Sequence, residues 1–228
     1  MQKLLITIDG PAGAGKTTVS RALAERLGYR YVDTGALYRG VAHAARLRGV
    51  APEDDDALGR MLAGLRIVLE RDRVGSRILV DGEDVTERIR TPEVSMLAST
   101  VSARPVVRAF LLKVQQELGR EKAVVFEGRD MGTVVFPEAD VKFFLDASEA
   151  TRAQRRYAEL RSKGNAELEE VARDLQRRDE QDSTRALAPL KPAADAICID
   201  SSELTVRQVV EQMLRHVKAK LATHADPP

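Results

Sequence analysis

Short apolar runs alternate with helical stretches along most of this chain. The run Leu4-Leu5-Ile6-Thr7-Ile8, closed by Asp9, predicts a buried strand. Residues 18–27 carry a helical pattern that Gly28 is placed to end. Tyr31-Val32-Asp33 predicts a second short strand, and 36–47 a helix closed by Gly49. The acidic run Glu53-Asp54-Asp55-Asp56 suits a solvated helix start, because carboxylates favour helix N-termini. Residues 65–71 and 77–80 alternate around Val74-Gly75-Ser76, predicting an antiparallel hairpin. Asp81-Gly82-Glu83 is a further turn, and Thr91-Pro92 predicts an N-cap with proline at the first helical position. Another helix is expected over 105–118.

The strand–helix rhythm then resumes. Residues 123–127 predict a buried strand ending in Glu127, 128–137 a loop, and 141–146 another buried strand. Helices are expected over 150–161 and 167–179, separated by Ser162-Lys163-Gly164-Asn165 and followed by a charged loop to Lys191. A last strand covers 196–200. Thr205 and Gln208 form a capping-box pair for a final helix to about 221, and 222–228 reads as a frayed tail. This alternation argues for an α/β fold with a parallel sheet covered on both faces. The hairpin breaks that rhythm, so it is expected in an insertion beside the main sheet.

With 228 residues, the chain fits one α/β domain with a small insertion. Tryptophan is absent and aromatics are 4%, so Leu, Val, Ile and Ala must build the core. A net charge of +1 provides no general attraction to nucleic acid or membrane. The first apolar run is too short for a signal peptide or membrane span, which makes a cytoplasmic protein the expectation. Cys198 is the single cysteine; its strand-like surroundings predict a buried core thiol. His43, His216 and His224 lie far apart in sequence and do not suggest a metal site.

Between the first strand and its helix lies Gly10-Pro11-Ala12-Gly13-Ala14-Gly15-Lys16-Thr17-Thr18. Its glycines and its Gly-Lys-Thr ending fit the spacing of a P-loop. Such a loop turns successive N–H groups inward on phosphate oxygens, and the helix N-terminus adds positive potential. Lys16 can reach the outer phosphates of a nucleoside triphosphate, and the Thr17 hydroxyl can ligate Mg²⁺ directly.

In open α/β sheets the working crevice lies at the carboxyl ends of the strands. Two of those ends carry Asp33-Thr34-Gly35 and Glu127-Gly128-Arg129-Asp130. Asp33 and Glu127 could orient waters on the Mg²⁺; the alternative is a helix cap or a salt bridge with a nearby arginine. Among the cations, Arg39, Arg108, Arg129, Arg178 and Arg185 stand out. Arg178 and Arg185 sit with Asp179 and Asp182 in a segment able to close over a site. A delivered arginine stabilises a transferring phosphoryl group by roughly 10³–10⁵ in rate, and a closed lid excludes water.

These stretches resemble the bacterial cytidylate kinase family. The likeness rests on Ile6-Thr7-Ile8-Asp9-Gly10-Pro11, Asp33-Thr34-Gly35-Ala36-Leu37-Tyr38-Arg39, the run from Glu127 through Phe136-Pro137, and Arg185-Ala186-Leu187-Ala188-Pro189-Leu190. It spans about 4–218. The resemblance implies a P-loop NTPase-type three-layer fold with a five-stranded parallel core sheet. In that scheme the core covers about 1–50, 101–150 and 190–222, a monophosphate-binding α+β insertion about 51–100, and a short helical lid about 151–189. It also implies transfer of the ATP γ-phosphate to CMP or dCMP by a monomer. Arg39, Arg129 and Arg185 would clamp the acceptor phosphate, with Tyr38 beside them. Ser99, Arg108 and Asp130 would read cytosine, while Thr34, Arg178 and Asp182 would face the sugar. Thr34 stands where serine is usual in the family, and Glu127 where aspartate is often found.

Other classes fit less well. A different small P-loop kinase, for a sugar or another nucleotide, shares the loop but not the Gly-Arg-Asp-Met-Gly-Thr stretch. A GTP switch would carry Asn-Lys-x-Asp, whereas the single asparagine, Asn165, is followed by Ala166. The arginines of 150–161 could serve a nucleic-acid module, but their helical spacing and the balanced charge favour a solvated or lid-supporting face.

Overall fold

The computed structural model describes residues 3–72, 75–161 and 167–223. The chain divides into two compact units. The first takes the described residues of Met1–Tyr31, Glu121–Thr184 and Ala188–Pro228; the second takes those of Val32–Arg120 with Arg185–Leu187.

The first unit is built on β1 (Leu5–Asp9), which leads through the P-loop into α1 (Lys16–Leu27). β2 (Arg30–Asp33) follows at the boundary with the second unit. The five-stranded sheet also takes in β6 (Val124–Gly128), β7 (Val141–Asp146) and β8 (Ile197–Asp200), in the order β2-β6-β1-β7-β8. β1 pairs in parallel with both β6 and β7, and β7 with β8. All five residues of β1 and of β6 are buried, and apart from Thr7 both strands are apolar up to the carboxylates Asp9 and Glu127 near their carboxyl ends. The unit's helices are α1, α6 (Glu149–Arg161), α7 (Leu168–Thr184) and α8 (Val206–Thr223). Ile6, Ile8, Phe143 and Leu145 from the sheet pack with Leu23 of α1 and Met213 and Val217 of α8. Leu23 is fully buried, so truncating it to alanine would cost about 2–5 kcal/mol.

The second unit holds α2 (Thr34–Leu47), α3 (Asp55–Ala63), α4 (Pro92–Ser102) and α5 (Pro105–Gly119). Its small antiparallel sheet has the order β3 (Ile67–Asp72), β4 (Gly75–Val80), β5 (Glu83–Asp84). The expected hairpin pairs Ile67 with Val80 and Leu69 with Ile78; Val74 of its turn lies outside the described residues. Leu37, Val41, Leu58, Ile78, Ile89 and Leu111 share the core. This unit is wider than residues 51–100, because α2 and α5 turn their apolar faces into that same core.

Local sequence signals set the element ends. Thr91 caps α4, accepting from the Val94 N–H at 3.2 Å, and Asp54 caps α3, accepting from the Ala57 N–H at 2.8 Å. The Thr205–Gln208 box starts α8, with Thr205 N–H donating to Gln208 Oε1 at 2.9 Å.

Three expectations are corrected. Cys198 is exposed, because β8 is the edge strand of the sheet among the described residues. The expected loop over 128–137 contains a π-helical turn, Met131–Val135, closed by Phe136 N–H to Met131 O at 2.7 Å. α7 continues to Thr184 instead of ending near 179, and α8 reaches Thr223. Of the two alternatives for the arginines of α6, Arg152 takes the supporting one: it is buried and pairs with Asp179 of α7. The break expected at 162–165 and the tail residues 224–228 lie outside the described residues.

Candidate active site

In the first unit the P-loop leaves the carboxyl end of β1 and opens α1. Gly10 has φ +148°, and a Cβ there would lie 1.9 Å from the Leu145 carbonyl oxygen. At Gly13, φ is +78° and a Cβ would come within 2.9 Å of the Arg152 carbonyl oxygen. Both positions therefore demand glycine for conformation and for space. Lys16 is buried and folds back so that Nζ donates to Pro11 O at 2.6 Å. Burial, followed by the charges of Arg129 and Arg178, pulls its pKa well below the usual lysine value, while Glu127 and Asp9 oppose the fall.

Glu127, at the end of β6, accepts from the Thr17 hydroxyl at 2.7 Å (Oε1) and from the Tyr31 hydroxyl at 2.6 Å (Oε2). A hydroxyl and a carboxylate held together are hard oxygen donors. They fit Mg²⁺, which takes few protein ligands and keeps several waters and substrate phosphates. Asp33 is engaged differently. It caps α2 by accepting from the Ala36 N–H at 3.1 Å, and it pairs with Arg39 Nη2 at 2.8 Å. Burial alone would raise its pKa, but the Arg39 charge and these hydrogen bonds outweigh burial and hold it below the ordinary value. The cap and salt-bridge alternative thus describes Asp33.

Asp9 ends β1, in register with Gly128 of β6 and Phe144 of β7. Its two carboxylate oxygens accept from the Met131 N–H at 2.9 Å and the Gly132 N–H at 2.8 Å. They satisfy two donors at the start of the π turn, directly after Arg129 and the buried Asp130. Burial lifts Asp9 to about 6, against these two hydrogen bonds and Lys16, with Asp130 adding to the rise. Arg129 Nε in turn donates to Asp182 Oδ2 of α7 at 3.0 Å, and its Nη1 to Gly128 O at 3.2 Å.

Two arginines of α6 brace the P-loop from outside. Arg152 donates through Nη1 to Ala12 O at 3.2 Å and through Nε to Ala147 O at 3.0 Å, and it pairs with Asp179 of α7. Arg155 Nη2 donates to Ser201 O at 2.7 Å, and the Ser201 hydroxyl donates to Ala14 O at 3.2 Å. Fixing these P-loop carbonyls outward leaves the N–H groups for phosphate.

The second unit gathers another set. Thr34 is buried at the start of α2. The Arg108 guanidinium lies 5.9 Å from the centroid of the Tyr38 ring and donates to Ser102 O at 3.1 Å. Ser99 is buried, and its carbonyl accepts from the Ser102 hydroxyl at 2.7 Å. Arg185 Nη1 reaches that same hydroxyl at 3.3 Å. The structure thus brings Lys16, Thr17, Glu127, Arg129, Asp130, Arg178 and Asp182 into the first unit, and Asp33, Thr34, Tyr38, Arg39, Ser99, Arg108 and Arg185 into the second.

Asp9, Ser102 and Ser201 carry no role in the sequence reading, which takes Arg152 and Arg155 only as part of a solvated or lid-supporting helix face. Asp9 had a usable signal, since it ends an apolar strand just as Glu127 does. Arg152, Arg155 and Ser201 find partners in distant elements, whereas Ser102 bonds Ser99 and Arg108 nearby and only Arg185 from afar.

A model of the cytidylate kinase family matches residues 6–219. The chain is 50% identical over 220 residues to a cytidylate kinase from Geobacter sp. strain M21, covering 96% of this chain and 94% of that one. It is 51% identical over 211 residues to a cytidylate kinase from Geobacter sulfurreducens, covering 92% and 91%. Among solved structures, a shikimate kinase from Bacteroides thetaiotaomicron superposes with a TM-score of 0.51 at 15% identity, covering 95% of this chain and 99% of that one; this likeness concerns the fold. The P-loop on β1, the Gly-Arg-Asp stretch anchored by Asp9 and the full-length match agree, and this chain belongs to the cytidylate kinase family.

Proposed function

We propose that the protein transfers the γ-phosphate of ATP to CMP or dCMP, giving ADP and CDP or dCDP. The observation that carries this reading is the Asp9-held turn, which fixes Arg129 and Asp130 at the end of β6, the strand next to the P-loop strand. P-loop N–H groups from Gly10 to Thr18 and Lys16 would hold the ATP phosphates. Thr17 would ligate Mg²⁺, with Glu127 holding one of its waters. The ion, when bound, neutralises charge on the donor phosphates.

Arg39, Arg129 and Arg185 neutralise the acceptor dianion, and Arg178 serves the transferring group and the sugar with Asp182 and Thr34. The acceptor is already an oxyanion, so direct in-line transfer requires no general base and no phosphoenzyme. Ser99, Arg108 and Asp130 read the base. The Asp130 carboxylate accepts from the exocyclic amino group of cytosine; uracil presents an oxygen there instead. An unmatched buried polar pair costs about 1–3 kcal/mol, which predicts roughly tenfold to hundredfold preference for CMP over UMP.

The reading extends to a monomer acting on free nucleotides in the cytoplasm, with residues about 51–100 as the monophosphate-binding region and about 151–189 as a lid. It is supported by the family match and by near-neutral charge. No helix among the described residues is long and apolar enough to cross a membrane. An ADP-release assay comparing CMP, dCMP, UMP and AMP tests the proposal. CMP or dCMP should be turned over best, and clear preference for AMP or UMP would overturn it.

A further inference from the structure

Ser102 is the last residue of α4, where carbonyls lack intrahelical partners and partial negative charge collects. Three polar partners meet on it. Its hydroxyl donates to Ser99 O at 2.7 Å, which turns the oxygen lone pairs outward. Arg185 Nη1 donates to that oxygen at 3.3 Å, and Arg108 Nη1 donates to the Ser102 carbonyl at 3.1 Å. Ser102 and Ser99 are 7% and 8% exposed, so water competes little for these bonds.

We propose that Ser102 is a positioning residue for the pyrimidine nucleotide: it holds Arg185, Arg108 and Ser99 in the arrangement that binds CMP. This rests on the reading of those three as CMP-binding residues. A free arginine side chain loses rotamer freedom when it closes on a ligand, and one already held loses less. A guanidinium has five N–H donors, so it can bond Ser102 and a phosphate or base at the same time. Without the hydroxyl, Arg185 loses an acceptor and the Ser99 carbonyl loses a donor, while the Arg108 bond to the main chain remains.

The test is steady-state kinetics on the full chain, varying CMP and ATP separately. Ser102→Ala should raise the KM for CMP roughly five- to tenfold and leave the KM for ATP within about twofold, the size expected for one lost charge-assisted bond. Alanine suits a helix end, and a thermal melt checks folding. If that variant melts early, the near-isosteric Ser102→Cys carries the same test. Ser102→Thr should restore the CMP value, because a helical threonine hydroxyl can also bond a carbonyl one turn back. In an Arg185→Ala background, Ser102→Ala should add little.

An unchanged KM for CMP in Ser102→Ala, beside a raised one in Arg185→Ala, overturns the proposal alone. Equal rises for ATP and CMP would do the same by showing a packing defect, and tighter CMP binding would show that Ser102 competes for Arg185. If Arg108→Ala and Arg185→Ala both leave the KM for CMP unchanged, the reading of the site itself fails.

Discussion

Arg129 Nε donates to Asp182 Oδ2 at 3.0 Å, joining the end of β6 to α7 by an ion pair whose side chains are only 18% and 6% exposed. A guanidinium held by one edge keeps its other N–H groups aimed, which suits an arginine that must meet a phosphate. Arg129→Ala should lower kcat with CMP by roughly 10³ or more, the scale of a phosphoryl-stabilising arginine. Asp182→Asn retains the shape but removes the charge, and should cost roughly tenfold in kcat. The alanine variant takes the Arg129 ion pair from a buried carboxylate, so it should also melt lower while keeping its circular-dichroism spectrum. Unaltered turnover in Arg129→Ala would remove Arg129 from the reaction.

Asp9 predicts a pH signature. Its folded pKa is raised to about 6 from an ordinary 3.8. The folded chain therefore holds this proton more tightly than the unfolded chain. The linked stability is complete below about 4 and is lost as pH rises through about 6. At neutral pH the ionised carboxylate holds the Met131 and Gly132 amides. Those two amide resonances should titrate together with a midpoint near 6, and the titration should vanish in Asp9→Asn. Separate midpoints, or none in the unsubstituted protein, would break the link between Asp9 and the π turn.

How far the sequence reveals this molecule depends on how local each determinant is. The P-loop was legible because strand, glycines, lysine and helix are contiguous. The hairpin and the caps at Thr91 and Thr205 were legible for the same reason. Cys198 was misjudged because an apolar strand sequence does not reveal its place at the end of the sheet. Arg152 was taken with its helical neighbours, yet its partners Ala12 and Asp179 lie 140 and 27 residues away. The π turn was hidden because its anchor, Asp9, is 122 residues upstream of Met131. Pairings at such separations are set by the parallel sheet, whose neighbours are distant in sequence.

His43 sets an acid limit on the second unit. It is 2% exposed on α2, and neither ring nitrogen has a hydrogen-bond partner among the described residues. Burial, with the nearby charges of Arg46 and Arg88, lowers its pKa below 6.5, and Glu83 opposes the shift. The unfolded chain therefore takes up this proton at higher pH than the folded one, and stability falls as pH drops below about 6.5. His43→Leu removes the titration and leaves no unsatisfied polar group. Urea midpoints at pH 7.5 and 5.5 should differ more for the unsubstituted protein than for this variant. Equal differences would show that His43 does not drive the acid sensitivity.

The pair Arg152–Asp179 links the P-loop to the helix that carries Arg178 and Asp182. Arg152 is 6% exposed and also donates to the carbonyls of Ala12 and Ala147. Removing it should act in two ways. Asp179, whose side chain is 22% exposed, would lose its partner, costing about 1–3 kcal/mol. Ala12 O would lose a donor that fixes the P-loop peptide, so the KM for ATP should rise roughly tenfold while the KM for CMP changes little. The two effects separate in a double-mutant cycle. Arg152→Met with Asp179→Leu should recover much of the melting temperature, because no charge is left buried, yet the ATP defect should persist because the bond to Ala12 is still missing. Recovery of both stability and ATP binding in the double variant would show that Arg152 serves only its ion pair and that the P-loop needs no brace from this residue.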